Sequence, residues 1–310
     1  VILCGDIGGT HARLALAEPG TTQPIRERHY HCADFPDFEP LLADFLAREQ
    51  VRISTGCLAV AGPIGDDGRS ARLTNLPWRI DAAALAAAFG ITRLDLANDF
   101  TAAALGITAC PTGALVPLQA GQPLAGAPRL VVGAGTGLGM AVLVPTADGW
   151  QVLPGEGGHV AFGPTDPTQA ELWQQLYRLH GRVTAERVVS GPGLEAIYRY
   201  LAPGEPAATA EAISQSASAD RHGTGGRAVD LFLAAYGAFA GDMAMALMAR
   251  GGVYLAGGIA AKLLPLLADS PFLERFNAKA EHAQLVRKMP VTIVTDPILG
   301  LRGAAILAKA

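Results

Sequence analysis

The chain has 310 residues, half of them hydrophobic and 17% charged, with a formal net charge of −4. That length accommodates two domains and a sizeable core, the composition argues against disorder, and no basic block is present to bind nucleic acid. The four cysteines, Cys4, Cys32, Cys57 and Cys110, form no CxxC pair and read as buried free thiols of a reducing compartment.

Val1 to Cys4 reads as a strand, Gly5-Asp6-Ile7-Gly8-Gly9-Thr10 as a glycine-rich turn, and Arg13 to Ala17 as a second strand. Glycine lets the backbone bend sharply and lets an anion approach its N–H groups, and Thr10 adds a hydroxyl. Asp6, closing a buried strand, needs a partner. A hydrated Mg²⁺ is a natural one, because it keeps waters and takes one or two carboxylates plus phosphate oxygens. An ordinary hairpin with a solvated Asp6 is the plain alternative. The chain opens on this strand without a basic leader, so no signal peptide is expected.

Arg26 to His31 reads as a third strand, and the spacing of Phe38, Leu41, Leu42, Phe45 and Leu46 predicts a helix within Phe35 to Gln50. Gly56 to Pro63 is a buried strand stopped by Gly-Pro, and Ala71 to Trp78 is a short segment leading into Ile80. Asp81 caps an alanine-rich helix reaching Phe89. Arg93 to Ala97 is a strand, and Thr101 to Ile107 is a helix. Strands alternating with helices indicate an α/β domain. Asn98-Asp99 stands at the carboxyl end of a strand, where such folds place chemistry, although Asp99 also suits a helix cap.

Gly113 to Pro128, rich in proline, is the candidate excursion between lobes. Arg129 to Val144 then repeats the opening design of strand, Gly/Thr turn and strand, with Gly135-Thr136-Gly137 in the turn. It lacks the Gly-Lys-Ser/Thr of a Walker loop and has Leu138 where GxGxxG needs its third glycine. Two such hairpins suggest an internal duplication whose turns clamp a polyphosphate. Glu156 and His159, separated by two glycines in a loop, are placed to converge on a polyhydroxylated ligand, and no cysteine follows Cys110 to build a zinc site. His159 also reads as a histidine with one satisfied hydrogen bond, and Glu186 as a solvated helix residue.

Glu171 to His180 and Leu194 to Leu201 read as helices, and Pro203 to Arg227 as loop with a short helix near Glu211 to Ala217. Ala228 to Ala249 is a long apolar helix. Asp230 and Asp242 within it favour a buried helix over a membrane span. Gly251 to Ile259 is a strand ending in Gly257-Gly258, against which a flat nucleoside can lie. Val291 to Thr295 and Leu299 to Ala308 close the chain as strand and helix.

GDIGGTHARLAL, LANDFTAAALG, GAGTGLGMAVLVP, LPGEGGHVAFGP, TAERVVSGPGL and YLAGGIA occur in the order seen in bacterial ATP-dependent glucokinases, which the chain resembles over nearly its whole length. The resemblance implies a two-lobed α/β protein of the actin-like, hexokinase-like ATPase fold, with duplicated β-hairpin phosphate motifs and an interlobe cleft. Residues 1–108 plus 298–310 would form a small domain and 109–297 a large one. Gly5, Asp6, Ile7, Gly8, Gly9 and Thr10 would be the first phosphate motif, Gly135, Thr136 and Gly137 the second, and Gly257-Gly258 the adenosine motif. Asn98, Asp99, Glu156, His159 and Glu186 match the family's glucose-contacting positions. Asp99 would be the general base for transfer from ATP to the 6-hydroxyl of D-glucose, the first step of glycolysis, with Mg²⁺ held by Asp6 through water. Val160 to Pro167 lacks the cysteines of the related zinc-containing ROK kinases, so the match is to the zinc-free branch. A cytoplasmic homodimer is implied, with no membrane or nucleic-acid partner. A kinase for another hexose, a sugar-responsive regulator, and a nucleotide-hydrolysing chaperone or filament protein of the same fold are the alternatives.

Overall fold

The computed structural model describes residues 1–74 and 76–308. Asn75, within the segment Ala71 to Trp78, and the last two residues of the expected 298–310 portion lie outside the described residues. Two compact units are formed, Val1–Thr112 with Asp296–Ala310, and Gly113–Thr295.

The first unit holds β1 (Ile2–Ile7), β2 (His11–Ala17), β3 (Pro24–His31), β4 (Thr55–Val60), β5 (Ser70–Arg72), β6 (Arg79–Asp81) and β7 (Arg93–Asn98). Five of them make a sheet in the order β3-β2-β1-β4-β7. The β1–β2 and β2–β3 pairs are antiparallel, and β4 and β7 run parallel to β1. Side chains alternate across this sheet. Leu3 and Ile7 pack with Leu41, Leu42 and Phe45 of the helix Phe38–Glu49. Ile2 and Cys4 pack on the other side with Leu301 and Ala304 of the helix Leu299–Leu307. That helix lies close against the helix Asp99–Ile107, and a Cβ on Gly303 would collide with the carbonyl of Ala102.

The second unit holds β8 (Leu115–Gln119), β9 (Arg129–Ala134), β10 (Leu138–Thr146), β11 (Gly149–Gly155), β12 (Gly252–Ala256) and β13 (Val291–Val294), in the order β11-β10-β9-β12-β13-β8. The antiparallel run β9–β10–β11 and the parallel strands β12 and β13 repeat the design of the first sheet, so the two hairpins occupy equivalent places. The supposed excursion Gly113 to Pro128 contains β8, antiparallel to β13 at the sheet edge. Pro117 is tolerated there because an edge strand can spare an N–H.

The long helix starts earlier than its apolar run, spanning Thr224–Ala246. It is long and apolar enough to cross a membrane, but 72% of its apolar window is buried inside the protein. Phe232 and Tyr236 lie in the core, and the Tyr236 hydroxyl donates to the Val132 carbonyl at 3.2 Å. Cys4, Cys32 and Cys57 are buried free thiols, whereas Cys110 is only partly buried, correcting the expectation for that residue. Burial pushes the Cys110 thiol up to about 11, with Asp296 adding to the effect.

The first unit is closed by a buried ion pair. Arg302 Nε lies 2.5 Å from Asp296 Oδ2, with the two side chains 8% and 4% exposed. Arg302 also donates to Gln23 Oε1 at 3.0 Å and to the Thr22 carbonyl at 3.4 Å. Removing one partner strands the other charge away from water. Asp296→Ala is therefore expected to lower the unfolding free energy in urea by about 3 kcal/mol, with Asp296→Leu/Arg302→Met recovering most of that loss. A single variant within about 0.5 kcal/mol of the parent would contradict this, since surface changes fall in that range.

Candidate active site

The first turn joins β1 to β2. Gly8 N–H donates to the His11 carbonyl at 2.9 Å, and Cys32 N–H donates to the Thr10 carbonyl at 2.9 Å. The Gly9 and Thr10 N–H groups meet no protein acceptor among the described residues. No glycine of this turn or of Gly135–Gly137 has a left-handed φ. The sharp bend expected of them is made with ordinary torsions, and what glycine supplies is open backbone beside unspent donors.

Asp6 stands on β1 just before the turn, partly buried. Burial raises its carboxyl above the ordinary value; Arg13 acts in the opposite direction and Glu27 in the same one. Arg13 is the cross-strand partner of Asp6, and its guanidinium donates to the Pro297 carbonyl. Asp6 accepts no hydrogen bond among the described residues, and a Cβ on Gly300 would come within 2.7 Å of its Oδ2. One carboxylate with unused acceptor capacity, on a residue where only a glycine approaches, fits a hydrated Mg²⁺. No group of three ligating side chains occurs among the described residues, as a fully caged metal would need.

Three parallel strands end in one row: Ile7 pairs with Val60, and Val60 with Asn98. The first turn and Asn98-Asp99 therefore leave the same sheet edge, roughly 10 Å apart from the spacing of two strands. The helix begins at Asp99, not Thr101, because Asn98 caps it. Asn98 Oδ1 accepts from Phe100 N at 2.9 Å and Thr101 N at 3.3 Å. Asp99 occupies the first helical position, and its Oδ1 accepts from Phe100 N at 2.9 Å. The capping task thus falls chiefly on Asn98.

In the second unit, the Gly135 carbonyl accepts from Gly191 N at 2.8 Å, joining the second turn to the capped start of the helix Gly191–Leu201. Glu186 Oε2 accepts from Leu138 N at 2.9 Å, directly beneath Gly137. The Gly157–His159 turn lies on β10 so closely that a Cβ on Gly158 would overlap the Leu138 carbonyl, and one on Gly157 the Met140 sulfur. This explains the two glycines between Glu156 and His159. The loop is also tied to the Glu186 segment, with Ala185 N donating to the Val160 carbonyl at 2.9 Å and Phe162 N to the Val183 carbonyl at 3.0 Å. Glu156, His159 and Glu186 are thereby brought to one place, the first two with exposed side chains.

Gly257 has φ +86°, and a Cβ there would sit 2.8 Å from the Ala134 carbonyl. The Gly-Gly end of β12 thus lies against the residue preceding the second glycine turn, with the helix Gly258–Lys262 following directly. Arg13, Gly300 and the Leu138 peptide belong to these surroundings without being singled out by any of the motifs. A signal for Arg13 existed, because a two-residue turn at Gly9-Thr10 fixes the register that sets it opposite Asp6.

Two sheets of one design, each topped by a glycine turn, define a protein of the actin-like ATPase fold, and the solved structures it resembles are sugar kinases. The chain belongs to the glucokinase family, whose model matches residues 3–310. It is 38% identical to a glucokinase of Nostoc punctiforme, covering 99% of this chain and 98% of that protein. A glucokinase crystal structure from an Antarctic psychrotroph is 33% identical with a TM-score of 0.83, over 99% of this chain and 98% of the other. A glucose complex of Balamuthia mandrillaris glucokinase is 25% identical with a TM-score of 0.84, over 100% and 93%.

Because burial raises the Asp6 pKa, the ionised carboxylate opposes folding. Stability held below the ordinary carboxylate value is lost as pH rises through the raised one. Without Mg²⁺, Asp6→Asn is expected to be more stable than the parent at pH 7, with the gap closing as pH falls toward the ordinary value. Urea unfolding from pH 4 to 8 checks this, and a variant less stable at pH 7 would contradict it.

Proposed function

We propose that this chain transfers the γ-phosphoryl group of ATP to the 6-hydroxyl of D-glucose, giving ADP and glucose 6-phosphate, as the first step of glycolysis in the cytoplasm. The observation that carries the reading is the end of β7 in a glucokinase-family chain. Asn98 takes the helix cap, and Asp99 stands beside it at the sheet edge that also bears the first glycine turn.

Asp99 accepts the proton of the 6-hydroxyl as that oxygen attacks phosphorus. Asn98, Glu156, His159 and Glu186 bind the sugar hydroxyls, and an analogue lacking one leaves a polar group unpaired. Glu186 does this with one oxygen already fixed on Leu138 N, so its second oxygen is pre-oriented. The Gly9 and Thr10 N–H groups, the Thr10 and Thr136 hydroxyls and the Gly135–Gly137 backbone hold the phosphates. Gly257-Gly258 lies against the adenosine. Mg²⁺, held by Asp6 through water, supplies charge neutralisation to the phosphates when bound. Phosphoryl transfer asks chiefly for positioning and electrostatic stabilisation, which these fixed groups provide. The working form is a homodimer.

A coupled assay of ADP release with MgATP tests the reading. Glucose is expected to exceed mannose, fructose and N-acetylglucosamine by at least about tenfold in kcat/KM, with a flat blank without sugar. Asp99→Asn should lower kcat by about 10²–10⁴-fold while glucose affinity by calorimetry stays within about threefold. Glu156→Gln should chiefly raise the glucose KM. Normal turnover in the Asp99 variant would remove it as the base, and preference for another sugar would overturn the substrate.

A further inference from the structure

The β5–β6 ribbon has no part in the reaction above. Its register sets Arg72 directly opposite Arg79. Residues so placed on an antiparallel pair have Cβ atoms about 5 Å apart, and like charges there repel. Both arginines are exposed, and neither has an ion pair or side-chain hydrogen bond among the described residues. Several arginines of the same unit do meet carboxylates, although Arg52 and Arg69, like these two, have no ion pair among the described residues. Arg26 and Arg28 share Glu49 at 3.0 and 2.8 Å, Arg48 faces Asp44 at 2.8 Å, and Arg93 faces Asp95 at 3.1 Å.

Of the acidic groups near the ribbon, Asp67 and Asp81 hold backbone N–H groups, and Asp66 is exposed with no side-chain hydrogen bond or ion pair among the described residues. Asp67 Oδ1 accepts from Arg69 N at 2.9 Å, Ser70 N at 3.0 Å and Ser70 Oγ at 3.0 Å. Asp81, which also lines the cavity, accepts from Ala84 N at 2.9 Å as the cap of the next helix. With Pro63, Gly65 and Ser70, the two arginines border an open cavity of about 360 Å³. Two unpaired arginines set opposite each other on the ribbon are relieved of like-charge repulsion by a dianion with several acceptor oxygens.

We propose that Arg72 and Arg79 form a binding site for a phosphate monoester or inorganic phosphate dianion, distinct from the glycine turns. The ribbon is tied to the end of β4. Thr74 N donates to the Ala61 carbonyl at 3.2 Å, and Gly62 packs against the Arg72 carbonyl. Val60, just before them, pairs with Asn98 on the neighbouring strand.

The test is calorimetric titration of the full chain with inorganic phosphate and, separately, glucose 6-phosphate, at constant ionic strength. Parent, Arg72→Gln, Arg79→Gln and the double variant are compared. The site predicts binding by the parent that weakens by at least about tenfold in the double variant and less in each single one. Turnover at low phosphate should stay within about twofold, since neither residue touches the proposed reaction. Equal affinity for both probes identifies the phosphate group alone as the ligand, and tighter glucose 6-phosphate identifies a sugar phosphate. Arg79→Gln should also be at least as stable as the parent at low salt, because a repulsion is removed. Unchanged anion affinity in the double variant, no binding by the parent, or a destabilised Arg79→Gln would overturn the proposal.

Discussion

The peptide of Leu138 is the contact that positions the candidate site residues of the second unit. Its N–H is held by the Glu186 carboxylate at 2.9 Å, and its carbonyl is covered by Gly158. A hydrogen bond to a charged acceptor is shorter and stronger than a neutral one. It fixes Glu186 relative to the second glycine turn, which ends one residue earlier at Gly137. The close seat of Gly158 fixes the Glu156–His159 loop on the same strand. Three side chains from two distant segments are thus referenced to one backbone group, without being bonded to one another. The arrangement leaves two of them exposed and available to a ligand.

The two sheets are one design with different contents. In the first hairpin Ile7 pairs with Ala12 and Asp6 with Arg13; in the second Ala134 pairs with Leu138 and Gly133 with Gly139. The charged pair of the first copy is replaced by two glycines in the second. Both turns keep open backbone, but only the first carries a carboxylate beside it. The partly buried Asp6, destabilising when ionised, is a cost carried at one place where the proposed chemistry calls for a cation. The second copy has Gly257 in left-handed conformation against Ala134 at the corresponding edge, room that a side chain would fill.

Long periodic elements were legible from residue types alone. Phe38, Leu41, Leu42 and Phe45 marked a helix, and both hairpins showed their turns. Short elements were not. Strands β5 and β6 are three residues each, too short for an alternation to register, and β8 lay hidden in a proline-rich stretch. The brief helices Phe272–Asn277 and Ala283–Val286 fall below the length at which periodicity reads. The start at Asp99 was ambiguous because Asn98 and Asp99 are both capping residues, and only hydrogen-bond geometry distinguishes them. The candidate site residues are named by their motifs, and the structure adds which of them share one strand end or one loop. What ties Glu186 to Leu138 was not legible, since it links residues 48 positions apart.

Amide hydrogen exchange with and without glucose tests the central claim most directly. If Leu138 joins the sugar-binding segments into one block, glucose should slow exchange together in residues 136–140, 156–162 and 183–188. Glu186→Gln should weaken that protection across all three segments. Protection confined to one segment, or unaltered by the Glu186 change, would contradict the account.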